Sequence, residues 1–277
     1  MVLTFSTKLK REIFKIEPIN KLYSKLFMPK LYINLWITFR CNYSCSYCAF
    51  KSFLNTNKNE KSVEEWTKRL LKFPKATIAI TGGEPFLYPG MAQLIENLSK
   101  KHVMALTTNL SFPEKLMEIK DKKNIFLCLS YQRELESLES FSKKVREVKK
   151  HFKKVGINYI NTNNEDTSSL KRLFEDDIGA VLNDNPEIIP TKEKTGKKIS
   201  CTAGSTFLGI APDGTAYPCC AAFYDKERSI GNIFDKDFKL LSKPILCYTK
   251  CVWDCDQDYT IRKEIKIPIT QKDEVFI

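Results

Sequence analysis

Histidine is nearly missing from this sequence: His102 and His151 are the two present in 277 residues. A histidine-centred catalytic triad and a multi-histidine metal site are therefore poor readings. No apolar run near the start is long enough to cross a bilayer, since Leu31 to Phe39 is short and interrupted by Asn34. No signal-peptide pattern precedes it, because Lys8, Lys10, Arg11, Glu12 and Lys15 break up the N-terminus. A cytoplasmic location is expected. No internal repeat or long low-complexity segment is visible. At 43% hydrophobic and 28% charged residues, the composition is that of a folded chain. The length suits one large domain and a small one.

Cysteine and lysine are what the chain has in quantity. Ten cysteines without an export signal point to metal or redox chemistry before disulfides. Thiolates are the soft ligands that suit iron–sulfur clusters and zinc. The net charge of +12 would suit an acidic substrate, nucleic acid or an anionic membrane surface. Much of it has a simpler source. Between Lys143 and Lys154 the lysines alternate with Val145, Val148 and Phe152, continuing an apolar stripe from Leu138 and Phe141. That pattern is an amphipathic helix with a solvated basic face. Glu134, Glu136 and Glu139 near its start and the lysines near its end follow the helix dipole.

The chain divides by texture. Residues 1–32 form a basic extension with Phe14, Ile16, Ile19, Leu22, Leu26 and Phe27 as apolar points, broken by Pro18 and Pro29. It is read as packing under the following domain, with contact to a membrane surface as the alternative. From 33 to 185, candidate strands (33–39, 76–81, 103–107, 125–130, 156–161, 178–182) alternate with helical stretches near 62–72, 90–101, 113–120, 135–154 and 165–175. This alternation predicts an α/β fold with parallel strands, and six units predict a partial, open (β/α)6 TIM-like barrel. Residues 186–199, with Pro186, Pro190 and Gly196, read as a linker. The remainder, 200–277, holds six of the ten cysteines and reads as a small metal-organised domain. In it, Asp213-Gly214 between Phe207–Ile210 and Thr215–Tyr217 predicts a hairpin.

Two motifs carry chemistry in the barrel. Cys41, Cys45 and Cys48 follow the first strand on one loop. At that spacing three thiolates can hold three corners of a four-iron cluster and leave one iron open; a zinc site is the competing reading. Thr81-Gly82-Gly83-Glu84-Pro85 ends the second strand. Its glycines permit close approach to the backbone, and its glutamate and carbonyls can accept hydrogen bonds from an ammonium group.

In this order and at these strand ends, the two motifs resemble those of the radical S-adenosylmethionine (SAM) superfamily. The resemblance implies that Cys41, Cys45 and Cys48 ligate a 4Fe-4S cluster with SAM at its open iron. It also implies that Gly82, Gly83 and Glu84 hold the methionine end and that Tyr47 lies against the adenine. Thr107-Thr108-Asn109 is similar to the family's Thr-Asn-Gly, with Leu110 where the glycine would stand, and Ser130 matches a position that often bonds SAM. Cys201, Gly214, Cys219, Cys220, Gly231-Asn232-Ile233 and Cys247-x3-Cys251-x3-Cys255 resemble the SPASM/Twitch extensions of that family. The shorter Twitch type implies one auxiliary 4Fe-4S cluster, with Cys201 and Cys219 as ligands and two of Cys247, Cys251 and Cys255 completing four. A zinc ribbon-like site is the competing reading there.

The resemblance further implies reductive cleavage of SAM to a 5′-deoxyadenosyl radical, with an electron from a low-potential donor such as flavodoxin or ferredoxin. Hydrogen abstraction from a substrate at the barrel mouth would follow. The auxiliary cluster would accept the substrate's electron, bind substrate or relay electrons. Cys128 alternates with Ser130 on strand four, as a buried inert thiol or a hydrogen donor. No catalytic side chain is singled out. Oxidative modification of a peptide or protein side chain is one expected reaction; oxidation or rearrangement of a small metabolite is the other. A non-enzymatic cysteine-rich nucleic-acid-binding protein would explain the charge but not the Gly-Gly-Glu-Pro motif, so a nucleic-acid partner is not expected.

Overall fold

Six segments alternate apolar residues with small or polar ones, and each forms a parallel strand. They are β1 (Leu31–Thr38), β2 (Ala76–Gly82), β3 (Val103–Thr108), β4 (Ile125–Tyr131), β5 (Lys154–Asn161) and β6 (Val181–Pro186). The computed structural model describes residues 29–56, 59–123, 125–162, 165–186, 194–224, 228–249 and 262–264. The basic extension before residue 29, Cys251 and Cys255 lie outside them. One face of the sheet carries Ile33, Leu35, Ile37, Ile78, Ile80, Leu106, Leu127, Leu129 and Ile157, all buried against the helical layer. The other face carries Asn34, Ala79, Ala105, Cys128, Ser130, Gly156 and Asn158, which keep partial exposure. This side-to-side contrast places the core on the helix side and leaves an accessible concave side.

The covering helices begin and end where their sequences dictate. In α1 (Val63–Leu70), Ser62 and Glu65 form a reciprocal capping box, and Trp66 and Leu70 are buried. Helices α2 (Met91–Ser99) and α3 (Pro113–Met117) follow β2 and β3. Helix α4 (Leu138–His151) is capped by Ser137 and buries Phe141, Val145 and Val148, the apolar stripe expected from the sequence. Glu134 and Glu136 precede this helix rather than belonging to its first turn. Helix α5 (Ser168–Lys171) runs into a π-helical stretch, Arg172–Ile178, ending at the left-handed Gly179.

The sheet is open, as expected of a partial barrel, but it is wider than six strands. Strand β8 (Phe207–Ile210) pairs in parallel with β1, and β9 (Ala216–Tyr217) pairs antiparallel with β8. The order is β6-β5-β4-β3-β2-β1-β8-β9. The hairpin at Asp213-Gly214 is therefore present, with Gly214 at φ +91°, but it extends the barrel sheet. Its seam is apolar: Trp36 and Phe223 rings stand 4.0 Å apart, and Phe234 packs on Trp66 at 5.2 Å. The second correction concerns the linker. Residues Lys194–Cys201 form β7, which pairs antiparallel with β10 (Ile245–Thr249) and β11 (Arg262–Glu264). Pairings across such sequence separations leave no local pattern to read.

His102 is structural. Its Nδ1 accepts from the Ala76 N–H at 3.2 Å and its Nε2 lies 3.1 Å from the Leu70 carbonyl, an arrangement that requires the neutral ring. Burial holds its pKa below the usual value, outweighing the Leu70 bond that raises it. A histidine with a depressed folded pKa contributes stability that is present above its unfolded pKa, about 6.5, and is lost as pH falls through the folded value. We expect unfolding stability to drop as pH falls below about 6.5 and His102→Gln to flatten that dependence. Denaturant titrations at several pH values check this; an unchanged slope in the variant would exclude His102 as its source.

Candidate active site

The loop after β1 carries Cys41, Cys45 and Cys48 and is held by the tips of three strands. Beyond β2, the Gly83 N–H donates to the Thr38 carbonyl and the Glu84 N–H to the Arg40 carbonyl, each at 2.8 Å. A Cβ on Gly82 would stand 2.3 Å from the Thr38 oxygen, and one on Gly83 would stand 2.1 Å from the Arg40 oxygen. The paired glycines are thus required by the approach of the cysteine loop's own backbone. Beyond β3, the Asn109 Nδ2 donates to Asn42 Oδ1 at 3.1 Å, and Asn42 Nδ2 donates to Ser111 at 2.9 Å. Beyond β4, the Glu134 carboxylate accepts from the Ser46 N–H at 3.1 Å and from its hydroxyl, and the Tyr47 hydroxyl donates to Gln132. Arg40 grips Glu60 through two hydrogen bonds at the loop's start.

These clamps surround a cleft of about 260 Å³. It is lined by Cys41, Cys45, Cys48 and Tyr47 from the loop, by Gly82 and Gly83 at the end of β2, and by Asn109, Ser130 and Gln132 from the neighbouring strand ends. Seven of the expected barrel-site residues, three thiols included, therefore share one cavity with Ser130. Burial pushes all three thiols upward. Cys45 rises to about 12, first through burial and then through the negative charge that Cys48 and Cys41 would carry beside it. Three thiolates in mutual electrostatic reach need a cationic partner, and a multi-iron cluster supplies one. The Tyr43 N–H already points at Cys41 Sγ, at 3.4 Å. The residues fit the cluster.

Glu84 departs from its expected place. It is fully buried behind the glycine turn and does not line the cleft. Its carboxylate accepts from Thr108 Oγ1 at 2.8 Å, from the Asn109 N–H at 2.8 Å and from the Phe86 N–H at 3.1 Å. Burial raises its pKa, opposed by those three bonds. The side chain ties the β2 turn to the end of β3. We expect Glu84→Ala to cost about 3 kcal/mol in unfolding stability, because three buried donors lose a charged acceptor, with SAM affinity falling alongside. Denaturant unfolding and SAM titration check this; lost affinity at full stability would return Glu84 to the ligand.

Leu110 takes a left-handed conformation, φ +59°, and is 1% exposed. A glycine would adopt that backbone without strain; here burial of the leucine side chain offsets it. Gln132 and Glu134 were not anticipated as site residues. They follow Ser130 at alternate positions, so continuing the strand's two-residue period past its end would have found them.

Two family models match the chain. Residues 37–167 match the radical SAM superfamily, and residues 201–248 match the SPASM iron–sulfur cluster-binding domain. The chain is a radical SAM enzyme with a C-terminal SPASM domain. It therefore uses SAM, a 4Fe-4S cluster and an auxiliary iron–sulfur cluster. Among curated relatives, GTP 3′,8-cyclase of Helicobacter pylori is 34% identical over 105 residues, 35% of this chain and 32% of that protein. The Aquifex aeolicus GTP 3′,8-cyclase is 31% identical over 110 residues, 36% of this chain and 34% of that protein. The chain spans about a third of the length of these relatives. Among solved structures, anSMEcpe with bound AdoMet matches with a TM-score of 0.54 at 20% identity, over 75% of this chain and 78% of that one. Streptococcus suis SuiB bound to precursor peptide SuiA matches with a TM-score of 0.52 at 20% identity, over 84% of this chain and 69% of that one. These likenesses concern the fold.

In this radical SAM enzyme the cysteines expected to serve the auxiliary cluster fall on two connected pieces. Cys201 ends β7 and Cys247 lies in β10; Cys201 pairs with Ile245 and Cys247 with Ile199, so the two cysteines share one face of the small sheet, two positions apart. Cys219 precedes helix α6 (Cys220–Tyr224), and its sulfur accepts the Ala222 N–H at 3.4 Å. The turn after Cys201 passes close by: a Cβ on Gly204 would stand 3.3 Å from Pro218, the neighbour of Cys219. Cys220 instead turns into the aromatic seam beside Trp36 and Phe223, within 3.7 Å of Asn34 Nδ2. Cys128 is half-buried on β4 beneath Ser130; burial raises its pKa, and it does not line the cleft.

Proposed function

We propose that this enzyme carries out a radical oxidative modification of a peptide or protein side chain. The observation that carries the reading is the neutrality of the cleft. Among the described residues its lining consists of cysteines, tyrosines, glycines, threonines, asparagine, serine, glutamine and apolar side chains, without a lysine or arginine. A triphosphate would require such cations, as phosphate recognition does generally; a peptide does not. The likeness of fold to SuiB, whose structure holds a precursor peptide, supports the same reading. SAM bound with the 4Fe-4S cluster would supply radical hydrogen-abstraction chemistry. The chain's own contribution is positional: Asn109, Gln132 and Glu134 fix the cysteine loop, and Ser130 and Tyr47 present polar atoms to the cleft. We assign Gly82 and Gly83 to the methionine end of SAM and Tyr47 to the adenine side. Cys201, Cys219 and two cysteines from 247, 251 and 255 are assigned to one auxiliary 4Fe-4S cluster. A low-potential donor such as flavodoxin or ferredoxin would deliver the electron.

The test uses anaerobically reconstituted enzyme with dithionite and SAM, reading 5′-deoxyadenosine. A protein or peptide fraction of cell extract should stimulate its formation above the substrate-free level. Stimulation by GTP, or by the small-molecule fraction alone, would favour the nucleotide or metabolite chemistry of the alternative reading.

A further inference from the structure

Three side chains from the neighbouring strand ends hold the cysteine loop, and one of them is charged. Asn109 on Asn42 and Gln132 on Tyr47 are neutral. Glu134 accepts from the Ser46 N–H at 3.1 Å and from the Ser46 hydroxyl. The turn beyond β4 is built to present it: the Leu135 and Glu136 N–H groups both donate to the Gln132 carbonyl, at 2.9 and 3.0 Å. The other charges of that turn are paired, Arg133 with Glu165 and Glu136 with Lys144. Among the described residues Glu134 forms no such pair. Its partner is the neutral Ser46, whose hydroxyl and N–H hold the Glu134 pKa below its usual value. Ser46 directly follows Cys45, so a carboxylate on its N–H stands nearer the Cys45 sulfur than the roughly 8 Å Debye length of physiological salt. Its charge acts on both Cys45 and Tyr47. Folding alone does not call for a carboxylate here, because the exposed Ser46 groups would otherwise bond to water with little loss.

We propose that Glu134 is a positioning residue that lowers the reduction potential of the SAM-binding cluster, holding a negative charge beside Cys45 through its bonds to Ser46. The inference rests on the family assignment and not on the peptide reading. The step concerned is transfer of one electron from the external donor to the cluster, with no proton moved. A fixed negative charge beside the sulfur disfavours the more negative, reduced state; net charge and hydrogen bonding tune such clusters generally. Once reduced, the cluster is then the stronger reductant toward SAM. The hydrogen bond works in the same direction, since an N–H given to a carboxylate is not free to stabilise a reduced sulfur. Lys51 is the opposite case on the same loop. Its N–H donates to the Cys48 carbonyl at 3.1 Å, and its positive charge acts on Cys48.

The test is a redox titration of reconstituted full-length enzyme, followed by electron paramagnetic resonance. The signal that changes when SAM is added reports the SAM-binding cluster. The signal that does not change reports the auxiliary cluster and serves as the internal reference. Glu134→Gln keeps an acceptor for the Ser46 N–H and a donor for its hydroxyl oxygen while removing the charge. It is expected to raise the ratio of reduced to oxidised SAM-binding cluster about three- to tenfold at a fixed ambient potential, roughly 30–60 mV at 59 mV per decade. Lys51→Gln, which leaves Ser46 untouched, should shift the same ratio the other way. The auxiliary potential and the iron content should stay native in both variants. An unchanged potential in iron-replete Glu134→Gln overturns the proposal. A shift of the same sign in both variants also overturns it, because loosening of the loop rather than charge would be the cause. Loss of the SAM-responsive cluster from Glu134→Gln would make Glu134 a structural clamp and overturn its effect on the potential.

Discussion

Replacing Cys41, Cys45 and Cys48 together by alanine is expected to bring 5′-deoxyadenosine formation down to the uncatalysed background. The auxiliary cluster and most of the folding stability should remain. Iron should fall from about eight to about four atoms per chain, the content of one 4Fe-4S cluster. The three thiols sit on a loop whose position does not depend on them. Asn109 holds Asn42, Glu134 holds Ser46, and Gln132 holds Tyr47. The loop's apolar anchors are Phe50 and Phe53, packed on Phe39 at 5.8 and 5.6 Å. Removing the sulfurs therefore removes ligands while leaving packing in place. Iron analysis, visible absorption and denaturant unfolding of the triple variant check the three parts separately. Continued SAM cleavage above background would reject the assignment. Loss of all iron would mean that the two clusters are not independent.

What could be read from the sequence divides along a physical line. The cysteine triplet, the six parallel strands and the five helical segments between them are local patterns, and each appears close to where spacing and periodicity put it. The strand termini shifted by a few residues, as with β6 at Val181–Pro186 against the expected 178–182. Two things were not local. Strand β8 joins β1 across more than half of the chain, so the hairpin at Asp213-Gly214 was visible while its attachment to the barrel was not. Glu84 was placed toward the ligand because it follows a glycine turn. Its actual partners, Thr108 and Asn109, belong to the next strand end and only fold into reach. The same holds for Gly82 and Gly83. Their lack of a side chain was legible, but the group that crowds them is the backbone of Thr38 and Arg40.

Cys201→Ala combined with Cys219→Ala should leave reductive SAM cleavage near the native rate and abolish normal product. The reason lies in how the C-terminal region is attached. Strands β8 and β9 and helix α6 are bound to the barrel by apolar contacts that need no metal. Phe207 and Phe223 are buried in the seam with Trp36, and Ile233 is buried in the main core. The SAM cleft should therefore survive loss of the second cluster. The small sheet β10-β7-β11 is different: it carries Cys201 and Cys247 and has few buried apolar residues among those described. Its order should depend on the cluster, since metal binding free energy becomes folding free energy where no packed core exists. Product can then be lost in two ways, by losing an electron acceptor or by unfolding that sheet. Measuring 5′-deoxyadenosine, the substrate radical by electron paramagnetic resonance, and hydrogen exchange across 194–201 in the same variant separates them. A substrate radical that accumulates in a protein with native exchange assigns electron transfer to the auxiliary cluster. Fast exchange with no radical assigns it a structural task. Full product formation without the second cluster would remove it from the reaction altogether.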